Sequence, residues 1–104
     1  MIMGIISILF GTSKTDFKSL VDAGAVIVDV RSPQEFASGH IEGSVNMPLD
    51  TMSSKSALLK RGGKPVITCC RSGARSGLAA EVLKKAGIEV YNGGAWGNLQ
   101  RKIQ

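Results

Sequence analysis

The chain has 104 residues, of which 43% are hydrophobic, and this length accommodates one domain with an aliphatic core but not two domains. Its net charge of +5 comes from scattered basic residues, without a basic run interleaved with aromatics, which argues against a nucleic-acid-binding protein. The only cysteines, Cys69 and Cys70, are adjacent, which excludes an ordinary disulfide framework and a zinc site built on separated cysteines.

The chain begins with an apolar segment that runs from Met1 to Phe10. It is too short to cross a bilayer, no Lys or Arg precedes it, and no clear cleavage site follows it. We expect a short terminal helix or strand that packs on the domain or on a partner, in a cytoplasmic rather than a periplasmic protein. Residues 1–14 are thus an N-terminal extension, and residues 15–104 form a single domain.

Capping signals predict two short helices in the first half of the domain. Thr15 is the expected N-cap of a helix over residues 16–21. Ser32 is the expected cap of the second helix, because Pro33 follows at the first helical position and Glu35 stands three residues after the cap.

Short apolar runs predict strands at residues 25–30, 44–47, 66–69 and 88–91. Helices are predicted within residues 49–60, over residues 76–85 and over residues 96–103, and residues 92–94 are expected to form a loop. In the second of these helices the residues expected to face inward are Leu78, Val82, Leu83 and Ala86. Because strands and helices alternate, the pattern predicts an α/β domain with a mostly parallel sheet, whose ligands bind at the carboxyl ends of the strands.

One loop, Cys70-Arg71-Ser72-Gly73-Ala74-Arg75, connects the third predicted strand to the helix after it. A thiol at this position faces backbone N–H groups and the positive end of the helix dipole. Arg71 and Arg75 add positive charge to the same loop. Since all three features favour the thiolate, Cys70 is predicted to be a nucleophile.

Four segments together resemble those of single-domain rhodaneses: residues 28–31 with 35–36, residues 39–48, residues 70–76 and residues 91–96. Their order and spacing match from about residue 15 to the end of the chain. The resemblance implies a rhodanese-like α/β fold with a central, mostly parallel five-stranded sheet flanked by helices on both faces. It also implies a sulfurtransferase without a metal or cofactor, in which Cys70 takes a sulfane sulfur from an anionic donor such as thiosulfate. The persulfide would then pass that sulfur to cyanide or to a thiol.

The other loop residues have expected roles in this chemistry. Arg75 is expected to bind the anionic donor, and Arg71 to point outward and attract anions. Backbone N–H groups that line the loop are expected from Ser72, Gly73, Ala74 and Arg75. Gly73 is expected to permit the sharp curvature of the loop.

Four further residues are interpreted as structural. Asp29 and Arg31 are expected to pair and to support the floor of the site, and His40 to form a structural hydrogen bond rather than act as a base. Cys69 and Trp96 are expected in the core.

Two alternatives remain open at this point. A cysteine phosphatase or arsenate reductase on a similar fold has five residues between Cys and Arg, whereas only four separate Cys70 from Arg75 here. A non-catalytic or carrier module would relay the persulfide to a protein partner, and the retained Cys70 argues against an inactive module but not against a carrier.

Overall fold

Four strands form the centre of the computed structural model, which describes residues 15–104. They are β1 (Val26–Asp29), β2 (Val45–Asn46), β3 (Val66–Cys70) and β4 (Val90–Ala95), and their order in the sheet is β2-β1-β3-β4. Every neighbouring pair is parallel, so the predicted α/β class and parallel sheet are confirmed. The expected fifth strand does not occur within residues 15–104, because helices and turns occupy the segments between these four strands. The apolar extension and its predicted helix or strand lie outside the described residues.

Five α-helices surround the sheet in the described part of the chain. They are α1 (Phe17–Asp22), α2 (Pro33–Ala37), α3 (Met52–Gly62), α4 (Ala74–Lys85) and α5 (Trp96–Ile103), and a 3₁₀ turn at Leu49–Thr51 leads into α3. The longest of them, α4, has 12 residues. None of these helices combines the length and apolar character needed to cross a membrane.

Strand β3 is buried along its whole length and divides the core into two clusters. Because side chains alternate along a strand, Val66 and Cys70 face one cluster with α3 and α4, whereas Ile67 and Cys69 face the other with α1 and α5. The helices therefore cover both faces of the sheet, as predicted. The two adjacent cysteines point to opposite sides.

The cap of the first helix differs from the prediction by one residue. Asp16, not Thr15, is the N-cap of α1, and its carboxylate accepts the Ser19 N–H at 3.0 Å. A carboxylate is favoured there because it also interacts with the positive end of the helix dipole. The prediction for α2 is confirmed, since Ser32 and Glu35 form a reciprocal capping box with Pro at the start of the helix.

Two predictions about the second half of the domain are wrong. Leu78 does not face inward but is 59% exposed, because Ser76, Ala79 and Leu83 set the buried face of α4. Residues 92–94 form no loop but continue β4, where a bulge in the register with β3 accommodates them. A Cβ at Gly93 would lie 2.9 Å from Ile67 and from the Thr68 carbonyl oxygen, so close strand packing requires this glycine.

Candidate active site

Cys70 lies at the carboxyl end of β3, and its sulfur accepts hydrogen bonds from the loop that follows. The Gly73 N–H donates to Cys70 Sγ at 3.0 Å, and the Ser76 N–H donates to the same sulfur at 3.3 Å. Gly73 is the N-cap of α4 with φ of +110°, in the left-handed region that favours glycine. This conformation turns the chain sharply and directs the amides at the start of α4 towards the sulfur. Cys70 itself is 0% exposed.

The loop favours the thiolate form of Cys70 despite its burial. Burial by itself raises the pKa of this thiol, but hydrogen bonds from the Ser76 hydroxyl and from the amides of Ser76, Gly73 and Ser72 lower it. The net pKa of Cys70 lies below its ordinary value. The hydrogen bonds outweigh burial because a thiolate accepts them more strongly than a thiol does.

The loop side chains surround this sulfur unequally. Arg71, Ser72 and Ala74 are exposed, so the side chain of Arg71 lies at the surface. Arg75 forms a two-pronged ion pair with Glu35 of α2, with nitrogen–oxygen distances of 2.8 and 3.1 Å. The hydrogen bonds from Arg75 and the Ser32 amide lower the pKa of Glu35 to about 2. An anionic donor bound at Arg75 would therefore share the guanidinium with a carboxylate.

A recess opens beside the loop at the carboxyl end of β1. Its walls carry both apolar and charged side chains, contributed by Val30, Ser32, Pro48, Leu49, Asp50 and Arg75. This is the edge of the sheet at which parallel α/β proteins bind ligands. The recess therefore has room for a donor or acceptor beside Arg75.

Asp29 and Arg31 form a buried ion pair behind the loop. The Arg31 Nη2 lies 2.7 Å from Asp29 Oδ2, and the side chains are 5% and 0% exposed. The same guanidinium donates to the carbonyl oxygens of Glu35 and Gly39 and lies 4.8 Å from the centre of the Trp96 ring. These contacts tie the end of β1 to α2 and to the start of α5, and they involve no atom of Cys70.

His40 lies on the surface and is engaged with α2. Its Nδ1 donates to the Phe36 carbonyl oxygen at 2.7 Å, and its ring stacks on the Phe36 ring with centroids 3.7 Å apart. The hydrogen bonds of the described residues give His40 no link to Cys70. This geometry suits the structural role predicted for it.

Sequence reasoning missed three residues that contact the loop. Ser76 Oγ lies 3.3 Å from Cys70 Sγ, and Asn92 Oδ1 lies 2.6 Å from that Ser76 oxygen. The sequence predicts Glu35 only as part of a helix cap, although the same carboxylate also binds Arg75. The position of Ser76 in the first turn after the loop is a usable signal in the sequence, whereas Asn92 lies in a segment that the sequence predicts as a loop and gives no such signal.

The described residues contain no group of three or more His, Cys, Asp or Glu side chains that could hold a metal ion. The groups around Cys70 that can act chemically are its thiol, the loop amides and the nearby charged side chains.

Comparisons with known proteins place this geometry in a family. The model of the family described as Rhodanese-like domain matches residues 13–96. The chain is 44% identical over 69 residues to the protein YqhL of Bacillus subtilis, which covers 65% of this chain but only 54% of YqhL. It is 33% identical over 86 residues to the thiosulfate sulfurtransferase GlpE of Stutzerimonas stutzeri, covering 75% of this chain and 79% of that protein.

Among solved structures, the fold is similar to that of a rhodanese with anions from E. coli, with a TM-score of 0.67 and 28% sequence identity. This similarity covers 72% of this chain and 91% of the other. The family match spans the sheet, the Cys70 loop and most of the helices around them. From this match and from the parallel sheet that carries a cysteine loop at its carboxyl edge, we conclude that the chain belongs to the rhodanese-like domain family.

Proposed function

We propose that this protein is a sulfurtransferase that carries a sulfane sulfur as a persulfide on Cys70. The observation that supports this most directly is the pair of hydrogen bonds that the backbone N–H groups of Gly73 and Ser76 donate to Cys70 Sγ. A nucleophilic thiolate and a persulfide are both anions, so the same donors stabilise the resting state and the intermediate. Membership of a family that includes thiosulfate sulfurtransferases supports the same reaction class.

The proposed donor is thiosulfate, and the reaction has two steps. The Cys70 thiolate attacks the outer sulfur of thiosulfate, the sulfur–sulfur bond of the donor breaks, and sulfite leaves with the electron pair. The acceptor, cyanide or a thiolate, then attacks the outer sulfur of the Cys70 persulfide. The new bond yields thiocyanate or an acceptor persulfide, and the Cys70 thiolate is regenerated. Neither step requires an oxidant or a cofactor.

Burial of Cys70 adds a requirement to this proposal. Because its side chain is 0% exposed, a donor reaches the sulfur only after a local movement of the residues that cover it, and we propose that loop residues 71–74 move. Three of these residues are exposed, so their side chains are not packed in the core. The basic side chains of the loop attract an anionic donor to this opening, although Glu35 neutralises much of the charge of Arg75.

The structure disfavours the phosphatase alternative. An enzyme that transfers a phosphoryl group needs a loop of donors wide enough to surround the phosphoryl oxygens. Here only four residues separate Cys70 from Arg75, and the loop amides converge on a single sulfur atom. A site of this kind suits one added sulfur better than a tetrahedral oxyanion.

Mass measurement of the intact protein after thiosulfate treatment tests the proposal. We expect a gain of one sulfur atom that is lost on addition of cyanide, together with release of thiocyanate. Cys70→Ser should abolish the gain, and Cys69→Ser should retain it. Sulfur uptake by Cys70→Ser, or release of phosphate from a phenyl phosphate without any thiocyanate, would contradict the proposal.

The same experiment separates the enzyme from a sulfur carrier. A persulfide that forms on Cys70 but reacts slowly with cyanide and small thiols would favour relay to a protein partner. We place the reaction in the cytoplasm, because a reducing compartment keeps an unpaired thiol such as Cys70 free.

A further inference from the structure

Asn92 on β4 is connected to Cys70 through a single hydroxyl group. Its Oδ1 lies 2.6 Å from Ser76 Oγ, and Ser76 Oγ lies 3.3 Å from Cys70 Sγ. The orientation of the Asn92 amide follows from its other contacts, since Gly94 N–H donates to Oδ1 at 2.9 Å and Nδ2 donates to the Gly73 carbonyl oxygen at 3.2 Å. Asn92 Oδ1 therefore faces Ser76 as an acceptor.

The glycine at position 77 leaves space for the Asn92 amide between α4 and β4. Gly77 follows Ser76 on α4, and a Cβ at this position would lie 3.2 Å from Asn92 Nδ2, closer than ordinary van der Waals contact. A larger side chain at position 77 would require the Asn92 amide to shift by a few tenths of an ångström. The close approach of α4 and β4 brings the Asn92 amide within hydrogen-bonding distance of both Ser76 and Gly73.

Ser76 has one hydroxyl proton and three acceptors near it. Asn92 Oδ1 at 2.6 Å is nearest, the Gly73 carbonyl oxygen lies at 3.1 Å, and Cys70 Sγ lies at 3.3 Å. When Cys70 is a thiol, its S–H donates to Ser76 Oγ while the Ser76 O–H donates to Asn92. When Cys70 is a thiolate, the sulfur needs the Ser76 proton, and the hydroxyl must rotate away from Asn92 to supply it.

We propose that Asn92 is a positioning residue that competes with the Cys70 sulfur for the Ser76 hydroxyl proton and so opposes ionisation of the nucleophile. The inference builds on the proposed function, in which the Cys70 thiolate is the attacking group. The Ser76 O–H bond is never broken: ionisation releases the Cys70 proton to water, and the hydroxyl only rotates. Asn92 thereby holds part of the Cys70 population as the less reactive thiol.

Charged groups near the loop do not explain such an effect. Those nearest the loop include Asp29 at the end of β1 and Arg31 after it, Glu35 of α2, Asp50 before α3, and Arg71 and Arg75 of the loop. None of them is altered by a substitution at Asn92, which is itself uncharged. A change in ionisation that follows such a substitution therefore reports on hydrogen bonding.

The test is the pH dependence of Cys70 alkylation by iodoacetamide, measured on the full chain without any sulfur donor and located on Cys70 by fragmentation mass spectrometry. Asn92→Ala removes the competing acceptor, so the midpoint of the profile should fall by about half to one pH unit, equivalent to one hydrogen bond. Ser76→Ala removes the donor and should raise the midpoint. In the Ser76→Ala background, Asn92→Ala should have no effect.

Two further variants serve as controls. Asn98→Ala removes an exposed asparagine of α5 and should leave the midpoint unchanged. Asn92→Val also removes the acceptor, and its β-branched side chain suits a strand, so it provides the measurement if Asn92→Ala fails to fold.

The outcomes separate a proton effect from support of the loop. If Asn92 only holds the loop in place, its loss lets the loop amides drift from the sulfur and the midpoint rises. A rise, no change, or an equal fall in the Ser76→Ala background would each overturn the proposal. Normal alkylation profiles with no sulfur uptake from thiosulfate would overturn the proposed function alone, because alkylation uses no donor.

Discussion

The two cysteines at the end of β3 are neighbours in the chain and equally buried, yet their surroundings are opposite. Both are 0% exposed. Burial and the nearby Asp29 carboxylate raise the pKa of Cys69 to about 12. Burial also disfavours ionisation of Cys70, but the Ser76 hydroxyl and the loop amides lower its pKa below the ordinary value.

This difference shows that burial alone does not decide whether a thiol is reactive. Successive side chains of a strand point to opposite faces, so Cys69 enters an apolar cluster with Phe17 and Leu99. Cys70 points to the other face, where the loop folds back over the strand end and supplies hydrogen bonds. The direction of the side chain relative to the amides therefore determines the chemistry of each sulfur.

The largest effect should be seen in direct labelling of the two thiols. Because the pKa of Cys69 is raised to about 12 and that of Cys70 lies below its ordinary value, the thiolate fraction at neutral pH should be far higher at Cys70. Iodoacetamide should therefore label Cys70 selectively in the folded protein, and both thiols in denaturant. Comparable labelling of the two thiols in the folded state would contradict the comparison.

Asp29→Asn tests the charged group on the Cys69 side. It leaves Arg31 buried without its carboxylate, which should reduce the free energy of unfolding by about 3–5 kcal/mol. Denaturant unfolding measures this loss. Asp22→Asn is the matched control, because its ion pair with Lys18 is exposed and should change stability by less than about 1 kcal/mol. A loss of stability in Asp29→Asn as small as that in Asp22→Asn would show that the buried pair does not stabilise the fold.

Gly73→Ala tests the loop on the Cys70 side. At φ of +110° an alanine is strained by about 1–3 kcal/mol, and relief of that strain moves the Gly73 amide away from the sulfur. We expect lower stability together with a higher midpoint for Cys70 alkylation.

Gly24→Ala is the control for this backbone effect, since Gly24 has φ of +109° with open space around it and no contact with the loop. It should lower stability to a similar extent without moving the alkylation midpoint. An equal midpoint shift in both variants would mean that loss of stability, not the Gly73 amide, governs Cys70.

The smallest effect concerns acid, and it comes from the ion pair between Glu35 and Arg75 of the Cys70 loop. The pKa of Glu35 falls from 4.5 to about 2 in the folded protein, because Arg75 and Ser32 donate hydrogen bonds to its carboxylate. Its contribution to stability is therefore complete above about pH 4.5 and is lost as the pH falls towards 2.

Glu35→Gln should remove this part of the acid dependence while it retains the helix cap, since glutamine also forms a capping box. Thermal unfolding of the wild-type protein and of Glu35→Gln between about pH 2 and pH 7 measures the difference in acid dependence. This range covers the titration of such a carboxylate. Parallel stability curves would show that the ion pair with Arg75 contributes nothing.

Local patterns in the sequence were enough to predict most of the fold. The β-branched run at Val26–Asp29 and the capping box of Ser32 and Glu35 each depend on neighbouring residues only, and both occur as predicted. Position 78 could not be predicted in this way. A leucine in a helix is ordinarily an inward residue, but the phase of α4 is set by the packing of Ala79 and Leu83 against the sheet.

The same distinction between local features and tertiary contacts applies to the candidate site. Sequence alone predicts Cys70 as the candidate nucleophile, the residues of its loop and the need for a glycine at position 73, because a strand, a tight turn and a helix start are local features. Only the tertiary structure brought Glu35 to Arg75, 40 residues away, and Asn92 to Ser76, 16 residues away. Such pairs form where parallel strands and their helices converge at one edge of a sheet. A pattern within a short segment cannot show which distant residues meet there.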